Sequence, residues 1–263
     1  MPDRPWKLGY NTLTWNETRD PDLERVFATI KAAGWEGVEL LDPDANWYGP
    51  PSRIRAISER TGLPVVAMLG VVQIDDARRS RTLELQKRMI DYGAELGAEA
   101  YVYIGGDRVY RRLPSDDDYQ RLAEVSNALA EYAEPMGISV NHHSHPRCTI
   151  ERESEQDRLL ELCDPRVKVC LDVGISAFMD EDHLAQITRY ADRIGYVHLK
   201  DWAFGKFCVL GEGTKGIDWA AVLAGLTAAG FDGWVTTELS WYGDTPPDES
   251  CVANRAYLRS IGY

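Results

Sequence analysis

The chain has 263 residues, 44% hydrophobic and 27% charged, which is the balance of a soluble globular protein long enough for one large core. Its 29 basic and 42 acidic residues give a net charge of −13, which argues against nucleic acid or an anionic membrane as a general partner. No apolar run approaches the roughly 20 residues of a bilayer span, the N-terminus lacks the apolar centre of a signal peptide, and the five scattered cysteines include no C-x-x-C pair. Together these features predict reduced thiols in a cytoplasmic protein.

Strand-like and helix-like segments alternate from end to end. Residues 7–13 read as a short strand ending in polar residues. Residues 20–33 follow as a helix with Leu23, Val26, Phe27 and Ile30 at helical spacing and Gly34 as its stop. Gly37-Val-Glu-Leu-Leu41 reads as the second strand, 51–61 as a helix stopped by Gly62, and 63–71 as the third strand. A long helix over 75–96 precedes a fourth strand over 100–104, and a helix over 115–136 precedes a fifth strand over 138–143. The remaining helices fall at 151–162, 180–190, 218–229 and 248–261, and the remaining strands at 167–172, 194–200 and 234–239. Residues 201–216 read as the longest loop. Eight strands alternating with helices predict a parallel sheet. The count favours one (β/α)8 TIM barrel spanning residues 1–263 as a single domain. An open doubly wound sheet is the alternative, but Gly9-Tyr-Asn-Thr is not the glycine-rich turn such a sheet places after its first strand.

In a parallel barrel the C-terminal ends of the strands converge on one face, which carries the active site. Four of the predicted strands end in a metal-ligand residue. They are Ile138-Ser-Val-Asn-His-His143, Val167-Lys-Val-Cys-Leu-Asp172, Ile194-Gly-Tyr-Val-His198 and Gly233-Trp-Val-Thr-Thr-Glu238. Two histidines and two carboxylates brought together suit a divalent metal. Each residue alone also has a plain structural reading: Asp172 as a helix N-cap or salt-bridge partner, His198 as a core histidine, Glu238 as a partner for an arginine. Asn141, His143 and His145 share alternation parity, and His142 points away. Strand parity selects His143 as the ligand, and a one-residue bulge would select His145 instead. His145 is otherwise a candidate base. Lys200 shares a face with His198 and leans into the mouth. Glu39 ends the second strand as a candidate substrate contact or an exposed salt bridge. Trp15, Trp47, Tyr103, Trp202, Phe204 and Trp241 lie near strand ends or in the following loops, where aromatics can stack on a sugar.

These residues bring a resemblance into view. From about Gly9 to Trp241 the chain resembles the xylose-isomerase-like barrel superfamily of sugar isomerases, epimerases and inosose (keto-inositol) dehydratases. The resemblance is carried by Tyr190-Ala-Asp-Arg-Ile-Gly-Tyr-Val-His-Leu-Lys-Asp201, Gly216-Ile-Asp-Trp219 and Gly230-Phe-Asp-Gly-Trp-Val-Thr-Thr-Glu238. It implies a TIM barrel with metal ligands His143, Asp172, His198 and Glu238. Epimerases of this family have glutamate where His143 stands and a histidine where Ile175 stands, so a histidine-rich fifth strand looks more like the dehydratases.

The resulting expectation is a divalent-metal-dependent lyase acting on a keto-sugar or keto-inositol by β-elimination, either as a dehydration like that of inosose dehydratases or as the eliminative cleavage of a 3-keto-glycoside. His145 or Glu238 would take the proton beside the carbonyl, Lys200 or a histidine would protonate the leaving oxygen, and Glu39, Asn141 and Trp202 would bind substrate. Mn²⁺ is the first expectation for the metal, with Zn²⁺, Co²⁺ and Fe²⁺ also compatible with mixed nitrogen and oxygen ligands. The alternatives are a metal-dependent isomerase or epimerase working through an enediolate, and a non-catalytic sugar-binding or partner subunit. The partners expected are a small carbohydrate or cyclitol, with no nucleic acid and no membrane. Aromatics near the C-terminus would permit a homo-oligomer or a partner subunit.

Overall fold

The computed structural model describes residues 4–17, 22–41, 47–75, 78–106, 108, 112–239 and 245–263. Trp241 lies outside them. Eight parallel strands close into a barrel. Seven run in chain order: β1 (Lys7–Asn11), β2 (Gly37–Leu41), β3 (Val65–Val72), β4 (Ala100–Gly105), β5 (Ser139–His143), β6 (Val167–Asp172) and β7 (Ile194–Leu199). A two-stranded hairpin then intervenes, β8 (Asp201–Ala203) with β9 (Lys206–Cys208). The eighth barrel strand, β10 (Trp234–Thr237), pairs with β7 on one side and β1 on the other, which closes the ring and excludes an open sheet.

The helices begin and end where local chemistry directs. α2 (Leu23–Ala33) starts on the side chain of Asp22 and stops at Gly34, whose φ of 97° is left-handed. α5 (Asp116–Ala133) opens with a reciprocal capping box between Ser115 and Asp118. It passes into a 3-10 turn, Glu134–Met136, where a longer helix is expected from sequence, because Pro135 cannot donate to the ladder. Other features depart from the sequence reading as well. A short helix, α7 (Val173–Phe178), follows β6 at once, and the segment read as one loop over 201–216 contains the β8–β9 hairpin. Among the described residues no helix is long and apolar enough to cross a membrane.

Apolar side chains form two cores. The larger lies between strands and helices. The smaller fills the barrel interior with Val66, Leu69, Ala100, Val102, Cys170, Tyr196 and Trp234. Above that plug the interior becomes polar. Register sets the level of the polar layer: Asp172 pairs with His198, His198 with Thr236, and Asn11 with Glu39. The β6–β7 register does shift nearby: Val169 pairs with Ile194 and Cys170 with Tyr196, so Gly195 of β7 is the extra residue. β5 itself pairs with β4 and β6 without a shift, so His143 keeps its parity.

Candidate metal centre at the barrel mouth

His143, Asp172, His198 and Glu238 are all buried, and one ligand atom from each lies within 4.8 Å of the others. The closest approaches are His143 Nε2 to Asp172 Oδ2, 3.2 Å, and His198 Nδ1 to Glu238 Oε2, 3.0 Å. Asp172 Oδ2, His198 Nδ1 and Glu238 Oε2 meet no hydrogen-bond geometry and have only these close approaches and the Lys200 ammonium, 3.0 Å from Asp172 Oδ2, as partners. Buried polar atoms are rarely left in that state. Three such atoms converging with a histidine nitrogen form a donor set that fits a divalent cation.

The other ring nitrogen of each histidine is already engaged, which fixes the tautomer. His143 Nδ1 donates to the Ser144 carbonyl at 2.6 Å, leaving Nε2 as the lone-pair face toward the cluster. His198 Nε2 meets Glu39 Oε2 at 2.8 Å, leaving Nδ1 inward. Glu39 Oε2 also accepts from Asn11 Nδ2 at 2.7 Å. Glu39 is therefore wholly buried behind His198, and an exposed salt bridge is excluded. Asp172 splits its oxygens between two tasks. Oδ1 accepts from the Ile175 amide and caps α7, while Oδ2 faces the cluster, so the cap leaves one oxygen for the cluster.

Lys200 is buried and bridges the two carboxylates, with Nζ 3.0 Å from Asp172 Oδ2 and 2.9 Å from Glu238 Oε1. Burial works against its charge, but Asp172 and Glu238 outweigh that and hold it as an ammonium. The reciprocal effect lowers both acids: burial opposes their ionisation, and Lys200 with the neighbouring histidines overrides it. Burial also opposes a charge on His198, but Cys170, Glu39 and Glu238 raise it well above the usual imidazole range. Cys170 is itself pushed up to about 11 by burial and stays a thiol at neutral pH, so the two carboxylates hold the proton on His198 in the metal-free site, and a cation bound at Nδ1 would have to displace it. Gly174 makes the Lys200 position possible, since a side chain there would meet the Lys200 carbonyl oxygen at 2.2 Å.

His145 stands beside the cluster rather than in it, its ring centroid 5.6 Å from that of His143. Its Nδ1 donates to the Pro146 carbonyl at 2.9 Å. Burial, then Lys200 and His143, bring it down to about 4, so it is neutral at physiological pH. His142 faces outward, as its parity predicts, and bonds Gln156 at 2.7 Å. Asn141 needs a correction as a substrate contact. It lies two residues below His143, and its amide nitrogen donates to Tyr101 and Ser139 inside the barrel. Trp202 sits at the mouth, packed against Phe178 and Phe207 at 4.7 and 4.8 Å between centroids. Asn11 was not singled out from sequence, although the rule that polar residues at strand ends line the site would have found it at the end of β1.

Comparison with known proteins agrees with the fold. Residues 27–261 match the family model described as xylose isomerase-like TIM barrel. An inosose dehydratase of Geobacillus thermodenitrificans is 28% identical, with 96% of this chain and 96% of that protein aligned. One from Bacillus licheniformis is 30% identical over 90% of this chain and 87% of that protein. Among solved structures, D-allulose 3-epimerase from Methylomonas sp. superposes with a TM-score of 0.84 at 18% identity, covering 100% of this chain and 98% of that one, a likeness of fold.

Proposed function

The chain belongs to the xylose isomerase-like TIM barrel family, and we propose that it is a divalent-metal-dependent carbon–oxygen lyase acting on a keto-cyclitol or keto-sugar. One observation carries this reading: His145 and Lys200 flank the four-residue cluster where epimerisation at two faces would need a second free carboxylate. The inosose dehydratase relatives support the same class.

His143, Asp172, His198 and Glu238 would hold the ion, Mn²⁺ first among the candidates, and it would supply Lewis-acid polarisation of a ketone. His145 Nε2 takes the proton from the carbon beside the ketone. Lys200 Nζ delivers a proton to the oxygen that leaves from the next carbon. Trp202 walls the mouth against bulk water and offers a ring face to the substrate. The proton is removed from carbon and the second proton is delivered to oxygen, which is what separates elimination from return of the proton to carbon.

An isomerase or epimerase is the second reading. The solved structure of D-allulose 3-epimerase has the same fold, and Glu238 is one carboxylate suited to that exchange. The test is elemental analysis of protein purified without chelator, beside Asp172→Ala, followed by mass spectrometry of incubations with a keto-inositol and with ketohexoses. One equivalent of metal lost in the variant, with loss of water from the keto-inositol, is expected. Ketohexose interconversion without loss of water would move the assignment to an epimerase. Absence of metal in both proteins would remove the lyase reading.

A further inference from the structure

The β8–β9 hairpin carries a side chain in an unfavourable place. Ala203 pairs with Lys206, so the turn between them is the two residues Phe204 and Gly205. Both have positive φ, 49° and 83°, as such two-residue turns require. Gly205 suits this backbone. Phe204 does not, because a bulky side chain is disfavoured in the left-handed region where asparagine or aspartate is preferred. The ring is also 92% exposed to water. The free protein thus holds an apolar ring in a strained turn with nothing buried in return, a pattern associated with binding sites.

Beside Phe204 lies a cavity of about 250 Å³. Phe207, Val209 and Leu239 give it apolar walls, Cys208 and Thr245 also line it, and Lys206 and Glu212 are its exposed charged members. It adjoins the metal centre by two routes: Leu239 directly follows ligand Glu238, and the Phe207 ring lies 5.5 Å from Lys200 Nζ. The metal chemistry requires no apolar chamber there. A small cyclitol has hydroxyls all round and would gain little from these walls.

We propose that this cavity is a leaving-group subsite for an aromatic aglycone, with Phe204 closing over it, so that the substrate is a keto-glycoside of a phenol. This rests on the lyase reading above. The reaction balances without an oxidant. A proton leaves the carbon beside the ketone, the bond from the next carbon to the phenolic oxygen breaks, and that oxygen keeps the electron pair and takes a proton. The products are an unsaturated keto-sugar and the free phenol. The ketone must be installed beforehand by a separate reaction that oxidises a sugar hydroxyl.

The test uses the metal-loaded protein and two non-reacting probes, p-nitrophenyl β-glucoside and methyl β-glucoside, alongside turnover of their 3-keto derivatives and of a keto-inositol. The aryl probe is expected to bind more tightly than the methyl probe. Phe204→Asn should reduce that preference about three- to tenfold, the worth of one aromatic contact, while leaving the melting temperature the same or higher. Ala203→Trp, which fills the cavity from its wall, should reduce it further. Equal binding of the two probes by the unmodified protein would overturn the subsite even if a keto-inositol is dehydrated. Aryl preference with no cleavage of any keto substrate would remove the lyase reading and the leaving-group role with it. A change of sedimentation coefficient in Phe204→Asn, with probe preference intact, would instead make Phe204 a contact between copies of the chain and overturn the proposal.

Discussion

Glu39 on β2 lies 2.8 Å from Nε2 of His198 on β7, three strands away round the barrel. This contact sets which nitrogen of His198 faces the cluster, and its carboxylate charge makes the imidazole a stronger donor to a cation. Asn11 steadies the carboxylate from the intervening β1. Glu39→Gln should therefore weaken metal binding by about 10–100-fold while the four ligands stay in place. Titration of the metal-free protein with Mn²⁺ or Co²⁺ checks this. Unaltered affinity together with a raised KM would return Glu39 to the substrate-contact role expected from sequence.

The two groups flanking the cluster should separate into two steps. With keto-inositol in heavy water, His145→Gln should lose both deuterium uptake beside the ketone and elimination, by about 10²–10⁴-fold. Lys200→Met should retain deuterium uptake and lose elimination. The Lys200 variant removes a buried charge between Asp172 and Glu238, so its metal content is measured in parallel. Retained elimination in Lys200→Met, with metal bound, would reassign the acid.

The acid side of the stability profile should carry the mark of His142. Burial brings this imidazole down to about 3, against an ordinary value near 6.5. Between those values the unfolded chain binds a proton that the folded chain excludes, so stability rises with pH across that window and falls as pH drops through it. The slope for one such group is at most about 1.4 kcal/mol per pH unit. His145, down to about 4, adds the same sign over a narrower range. Urea midpoints of wild type and His142→Gln from pH 4 to 7 should show a shallower profile in the variant. Parallel profiles would mean that His142 is not excluded from protonation in the fold.

Strand alternation made most of the centre legible. β2 and β6 have the bounds read from sequence, and the inward parity of His143 against His142 follows from a period of two. What alternation cannot give is the partner across the barrel. Glu39 and His198 are 159 residues apart, and nothing local to either marks the other. The same holds for Lys200, whose bridge depends on the ends of β6 and β10 meeting. The hairpin was missed for a different reason. Its strands are three residues each, and its Phe-Gly turn lacks the Asn-Gly signature that marks such turns. Asn141 fooled the parity rule because facing inward does not fix depth, and it sits in the layer below the mouth.

Asp201 is the anchor of that hairpin. Its buried carboxylate accepts from the amides of Trp202 and Gly211, both at 2.9 Å, and from Trp219 Nε1 at 3.1 Å. It thereby ties the start of β8 to the chain after β9 and to the helix that follows. Gly213 is required beside it, since a side chain there would overlap Oδ1 at 1.6 Å. Asp201→Ala leaves three donors short of an acceptor, which should cost about 3 kcal/mol, more than one lost hydrogen bond. For a chain of this size that corresponds to a melting temperature lower by about 5–10 °C. All four candidate ligands lie outside the hairpin, so metal stoichiometry should be retained while the wall formed by Trp202 and Phe207 loosens and KM rises. Calorimetry with elemental analysis distinguishes this from a role in the centre itself. An unchanged melting temperature with loss of metal would place Asp201 among the groups that hold the ligands.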